Sequence, residues 1–254
     1  MEISFCIITL NEEDNIEKLI RNIKQIADEI IIVDCGSDDK TVEIAKSLGA
    51  KVIFNEWKDY STQKNLAISK ASKDWVFVLD ADERLSDKLK ENILSVKERE
   101  THGIDGFLIN RKTFYLGKFI NHSGWYPDTK VRLFKKGYGS FYGEYVHEGF
   151  EFRGRSRKLK GDVLHYSYKN IGDHMERIRK YSCLSAKRMK SEGKNFSFVK
   201  LLFSPLFGFI KHYFLKLGFL DGFRGFVISV LTSYYVFLKY LFLWEIERNE
   251  NTSC

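Results

Sequence analysis

Only 2 prolines occur in 254 residues, so the Pro-rich spacers that hold independent modules apart are missing. The 4 cysteines, Cys6, Cys35, Cys183 and Cys254, fall at no spacing that suits a metal knuckle or a redox pair, and reduced structural thiols are the expectation. The opening residues MEISFCIITL place an acid at position 2 and no basic segment ahead of a short apolar run. They do not read as a secretory signal, which points to a chain that stays in the cytoplasm. No glycine follows that run either: it passes directly into NEEDN. A dinucleotide fold or a P-loop needs a glycine-rich turn that lets backbone N–H groups meet a phosphate. Three acids at that turn would repel one, so binding of NAD or FAD is not expected, and the P-loop motif is absent as well.

What is present describes a globular chain. Hydrophobic residues make up 44% and charged residues 30%, enough for a core and too apolar for disorder. The length allows one large domain, or one domain with an appendage. The net charge of +7 is unevenly placed: between Arg153 and Arg224 there are 17 Lys and Arg against 5 Asp and Glu, so the remainder is net negative. Such a block suits an anionic membrane surface or nucleic acid.

The first hundred residues alternate strand and helix signals. ISFCIITL, EIIIVD, KVIFNE and WVFVLDAD are short apolar, β-branched runs. Between them lie IEKLIRNIKQI, TVEIAKSLG and QKNLAISKAS, the first with Ile16, Leu19, Ile20, Ile23 and Ile26 at three- and four-residue steps. This order predicts an α/β fold with a parallel sheet and right-handed crossovers. Ligands then bind beyond the carboxyl ends of the strands. That rule collects Thr9, Asn11 and Glu12, then Asp34 and Ser37, then Asn55 and Glu56, and finally Asp80 to Glu83, along one edge. The last set is an acidic cluster after an apolar strand. At ~5 Å and an effective dielectric near 20 each like-charge pair costs roughly 3 kcal/mol. A divalent cation would relieve the repulsion. Oxygen ligands suit Mg²⁺ or Mn²⁺, which commonly take one or two carboxylates plus substrate phosphates.

The three stretches ISFCIITLNEEDNI, IIIVDCGSDDKT and QKNLAISKASKDWVFVLDADE, in that order and spacing, resemble the family 2 glycosyltransferases. The resemblance implies a GT-A fold, a Rossmann-like and mostly parallel central sheet with flanking helices, and inverting sugar transfer from a nucleotide diphosphate donor. It also implies that Asp34 bonds the base edge, that Thr9, Asn11, Glu12 and Ser37 border the nucleoside, and that Gln63 and Asn65 face the nucleotide. Asp80 would contact ribose or metal, and Asp82 would ligate the metal. Glu13, Asp14, Asp38 and Asp39 read instead as helix caps and first-turn acids.

Further along, VRLF alternates as a strand, and GWYPD reads as a loop able to offer a ring face to a sugar or as an ordinary hydrophobic corner. FYGEYVHEGF sets His147 beside Glu148. Lipopolysaccharide core glucosyltransferases, a branch this chain resembles, carry a similar VHE motif after an RLF strand. An inverting transfer needs a base for the acceptor hydroxyl, so Glu148 is expected to be that base, Asp128 its reserve, and His147 a metal or phosphate contact. From Phe196 the composition turns aromatic and aliphatic. FSFVKLLFSPLFGFIKHYFLKLGF interleaves lysines with an apolar face, and residues 226–244 carry a single charge, Lys239. These read as membrane-surface helices, long enough at 226–244 to span, or as a helical subdomain packing on the catalytic domain or on a second copy.

The expected organisation is therefore a GT-A domain at 1–165, with a nucleotide-binding half at 1–100 and an acceptor half at 101–165, followed by a basic, aromatic membrane-associating region at 166–254. The expected activity is a metal-dependent hexose transfer, glucose from UDP-glucose, onto a lipid-linked saccharide such as lipopolysaccharide core. The site would be peripheral or monotopic at the inner face of the cell membrane. Nucleic acid is not an expected partner, because no nucleic-acid module is present; a homo-oligomer through the C-terminal helices is open. The alternatives are a transferase acting on a peptide or another glycan, and a non-catalytic nucleotide-binding module at the membrane surface. A phosphatase using the paired aspartates fits poorly, since Arg84 stands where that chemistry wants Thr or Val.

Overall fold

A computed structural model describes residues 1–99, 103–143 and 149–248. The chain forms two compact units, one from Met1–Arg111 and Asp128–His165, the other from Lys112–Pro127 and the chain from Tyr166 on.

The first unit is built on a mixed sheet. Strands β1 (Ile3–Thr9), β2 (Glu29–Asp34), β3 (Lys51–Phe54) and β4 (Trp75–Asp80) run parallel in the order β3-β2-β1-β4. The helices between them are α1 (Glu13–Ile23), α2 (Thr41–Ser47) and α3 (Tyr60–Lys70). The apolar spacing of α1 is why it packs: Ile16, Leu19, Ile20 and Ile23 are all fully buried. At ~1.5–3 kcal/mol for each such side chain, that stripe holds the helix on the sheet. The sheet itself buries Phe5, Ile7, Phe77 and Leu79 on that side. Its other face buries Cys6, Val33, Val76 and Val78 against α3, which starts at an Asp59 cap bonded to the Thr62 amide at 2.7 Å.

Beyond β4 the sheet takes up antiparallel pairs as well. The order continues through β8 (Asp128–Lys135), β6 (Gly106–Tyr115), β11 (Ser156–His165) and β5 (Glu83–Leu85). Helix α4 (Asp87–Lys97) follows β5, capped by Ser86. The hairpin of β9 (Gly139–Tyr142) and β10 (Gly149–Phe152) forms a separate ribbon. Two details position the site. A register shift between Phe107 and Leu108 leaves Arg132 opposite no single partner in β6, a bulge of the kind that re-aims a side chain. The β11–β5 ladder places His165 across from Glu83.

The second unit is a hairpin β7 (Lys118–Phe119) on the end of β6, with helices α5 (Ile171–Ser191), α6 (Phe198–Ile210) and α7 (Phe223–Arg248). Tyr115, Trp125, Tyr168 and His174 pack as an aromatic cluster, with Tyr115 Oη 2.8 Å from His174 Nδ1. Asp221 ties the loop before Trp125 to the turn between α6 and α7: it accepts from the amides of Asn121 and His122 and from Ser123 Oγ, at 2.9–3.0 Å. Pro205 lies inside α6, and its carbonyl accepts from Ser233 on α7 at 2.7 Å. The segments Phe198–Leu215 and Phe223–Arg248 are each long and apolar enough to cross a membrane, and α6 leaves Phe198, Phe203 and Phe207 exposed. Cys6 and Cys35 are free.

Candidate active site

The carboxyl ends of β1 and β2 are laced together by side chains. Asp34, 3% exposed, accepts four hydrogen bonds: from Thr9 Oγ1 at 2.9 Å, from the amides of Gly36 and Ser37 at 3.0 and 2.9 Å, and from Ser37 Oγ at 2.5 Å. Ser37 Oγ in turn accepts from the Asn11 amide, and Asn11 Oδ1 accepts from the Asp38 amide. Asn11 holds φ 55°, a left-handed conformation that Asn tolerates better than most residues. Glu12 donates its amide to Thr41 Oγ1, and its carboxylate accepts from Asn15 at 2.8 Å. Four of the expected nucleoside-side residues, Thr9, Asn11, Asp34 and Ser37, thus form one bonded edge, and Glu12 is tied beside them to Thr41 and Asn15.

Gln63 and Asn65 are placed differently. Gln63 is fully buried, donating to the Glu56 carbonyl at 2.8 Å and accepting from Asn55 Nδ2 at 2.8 Å. Asn65 exchanges two bonds with the Phe141 backbone, at 2.8 and 2.9 Å. Both amides are used up in fixing backbone, one the segment after β3 and the other β9. The structure gives both side chains an anchoring task.

The three acids at the end of β4 and just beyond it diverge, and each meets a different side chain. Asp80 lies 3.4 Å from Lys64. Burial works against its ionisation, but Lys64, Arg132, His165 and Arg111 outweigh it and hold the carboxyl well below the usual range. Glu83 turns inward with no exposure and accepts from Arg132 at 2.7 Å and from the Asp80 amide at 3.0 Å. Asp82, partly buried, lies 3.3 Å from His165 Nε2. Glu83 therefore braces Asp80 instead of lining the edge. Among the described residues four buried side-chain polar atoms lack a partner, and three are here: Glu83 Oε1, Arg132 Nε and His165 Nδ1.

His165 was not legible as a site residue. It closes a strand in the basic stretch, and only the β11–β5 pairing brings it to Asp82. Among the described residues no three His, Cys, Asp or Glu side chains form a ready-made metal cage. Asp82 and His165 offer two ligands, and Asp80 stands nearby. That donor set fits a Mg²⁺ or Mn²⁺ ion completing its shell with substrate phosphates and water.

A cleft of about 420 Å³ opens beside Asp80, bounded by α3, β4, β6, β8 and the β9–β10 hairpin. Lys64, Arg111, Lys130 and Arg132 line it together with Phe141, Phe150 and Phe152. Asp128, the reserve base, is held by Arg111, whose Nε and Nη2 reach its Oδ2 at 2.8 and 2.7 Å. His147 and Glu148 lie outside the described residues.

The Glycosyl transferase family 2 model matches residues 4–163. The chain belongs to glycosyltransferase family 2. Among curated relatives, an uncharacterized glycosyltransferase of Rickettsia typhi is 35% identical over 96% of this chain and 87% of its own length. The lipopolysaccharide core biosynthesis glycosyltransferase LpsC of Rhizobium meliloti is 30% identical over 94% and 90%. Among solved structures, glucosyl-3-phosphoglycerate synthase from Mycobacterium tuberculosis, in complex with Mn²⁺, UDP and glucosyl-3-phosphoglycerate, covers 46% of this chain and 44% of its own at 26% identity and a TM-score of 0.36. That likeness is too distant to carry a ligand over. Family membership and the mixed sheet with flanking helices make the fold GT-A and the activity glycosyl transfer.

Proposed function

We propose that this family 2 enzyme transfers a hexose, with glucose from UDP-glucose the first candidate, with inversion and with a divalent cation, onto a lipid-linked saccharide of the lipopolysaccharide core type at the inner face of the membrane. The observation that carries the donor side is the run of polar side chains from the Thr9–Asp34–Ser37 edge to Asp80 and Asp82. Asp34 and Ser37 border the nucleoside, and Asp80, held ionised by Lys64 and braced by Glu83, faces the ribose or the metal. Asp82 and His165 hold the cation, which when bound would neutralise charge on the departing diphosphate. Glu148 takes the proton of the acceptor hydroxyl, with Asp128 as the alternative. For the acceptor, support comes from the lipopolysaccharide core role of the LpsC relative and from the two apolar helices with their exposed phenylalanines, flanked by a basic stretch that suits anionic headgroups. The domain scheme follows: residues 1–165 catalyse, and 166–254 bring the enzyme to its lipid-linked substrate.

The test is turnover by the purified full chain against a panel of nucleotide sugars, with lipopolysaccharide-core lipid in vesicles, with Mn²⁺ and with chelator. UDP-glucose is expected to be consumed only with the ion and the lipid, and Glu148→Gln is expected to lower turnover by about 10²–10⁴-fold while donor binding persists. Equal turnover with chelator would remove the metal; transfer to a soluble peptide or glycan in place of the lipid would remove the acceptor reading.

A further inference from the structure

The cleft beside Asp80 carries more positive charge than the donor site uses. Of its four cationic side chains, three have an acid of their own: Lys64 at 3.4 Å from Asp80, Arg132 at 2.7 Å from Glu83, and Arg111 at 2.7 Å from Asp128. Lys130 is left with a second share of Asp128, at 3.7 Å. Partial burial lowers its ammonium below the usual range, and Arg111, Arg132 and Lys64 add to this while Asp128 opposes it. Like charges gathered in a recess favour an anion that completes the balance.

Sheet order says which anion. β4 separates β1 and β2, which carry Thr9 and Asp34, from β8 and β6, which carry Lys130 and Arg111. Neighbouring strands lie about 4.8 Å apart, so Arg111 on β6 is roughly 10 Å across the sheet from β4. Thr9, Asp34 and Ser37 do not line the cleft. A nucleoside diphosphate reaching from Asp34 to the Asp80–Asp82 acids runs along the ends of β2, β1 and β4, and Lys130 and Arg111 lie on the far side of it, on β8 and β6. Phe141, Phe150 and Phe152 give the same recess an apolar wall, suited to the face of a sugar ring.

We propose that this cleft binds an anionic group, a phosphate or a carboxylate, carried on the acceptor saccharide, and that Lys130 selects for it. The inference rests on the reading of the Asp80–Asp82 edge as the donor site. It narrows the acceptor to a charged sugar.

Calorimetry on the full chain without metal, using glucose 6-phosphate, glucuronate and glucose as probes, tests it on wild type, Lys130→Met and Lys130→Arg. The Lys130 side chain is 53% exposed, so neither variant disturbs the core. At least one anionic sugar is expected to bind wild type about tenfold or more tightly than glucose, and which one does so separates phosphate from carboxylate. Lys130→Met is expected to erase that margin and Lys130→Arg to keep it. In a separate titration, UDP-glucose with Mn²⁺ is expected to bind wild type and Lys130→Met alike. Equal or absent binding of all three sugars by wild type overturns the proposal, as does a margin that survives Lys130→Met. A parallel loss of UDP-glucose binding in Lys130→Met also overturns it, because the cleft would then hold the donor diphosphate. A lysine-dependent margin with no UDP-glucose binding by wild type supports the cleft and removes the donor reading instead.

Discussion

The two ends of the donor edge are built in opposite ways. After β1 and β2, every polar group of Asp34 and Ser37 named above is bonded to a neighbour, and the loops are tied to each other before any ligand arrives. After β4, three buried polar atoms on Glu83, Arg132 and His165 have no partner. An unsatisfied buried group costs ~1–3 kcal/mol, so the fold carries a local penalty there and none at the other end. A saturated edge suits a rigid nucleoside that must be met with little reorganisation. An unsaturated one suits charge that arrives with the substrate.

Breaking the brace should have the largest effect on stability. Glu83→Ala leaves Arg132 buried without its acid, and removing one partner of a buried pair costs about 3–5 kcal/mol. Urea unfolding should show that loss; a change under about 1 kcal/mol would mean that the pair is solvated and the contrast between the two ends false. Ser37→Ala probes the saturated end. It removes one hydroxyl that donates to Asp34 and accepts from Asn11, at about 1–2 kcal/mol for the two bonds, and it should weaken nucleotide binding by loosening the loop. Unaltered stability and affinity would show that the lacing is incidental.

A pH-dependent effect lies in the second unit. Burial pushes the His174 imidazole down to about 4, with Asp173 opposing and Arg177 adding to the shift. Its folded value is below the ordinary value of about 6.5, so its neutral form contributes stability that is complete above pH about 6.5 and is lost as pH falls toward about 4. Urea midpoints across that window should fall for wild type, and the slope should flatten in His174→Gln. Identical slopes would mean that the ring is not held neutral inside the aromatic cluster.

How much of this was legible in the sequence follows from how local each signal is. The parallel half was readable because β-branched runs and the Ile16–Ile23 stripe report their burial within a few residues, and the rule for parallel sheets then gathers Thr9, Asp34 and Asp80 on one edge. The direction of an individual side chain was not readable. Gln63 and Glu83 look like edge residues along the chain, yet one anchors a loop and the other braces a strand, because tertiary partners exist only once the sheet is assembled. His165 and Arg132 were missed for the same reason. His165 reaches Asp82 through a ladder joining residues about eighty positions apart, and Arg132 is aimed by a bulge that no periodicity encodes.

The central claim is that Asp82 and His165 grip a divalent cation through which the donor diphosphate is held. Electron paramagnetic resonance of Mn²⁺ titrated into the full chain with UDP-glucose tests it most directly. One bound ion per chain is expected in wild type, about tenfold or more weaker in His165→Ala and absent in Asp82→Asn, with the thermal midpoint of both variants close to wild type. Undiminished Mn²⁺ binding in the folded Asp82→Asn chain would contradict it.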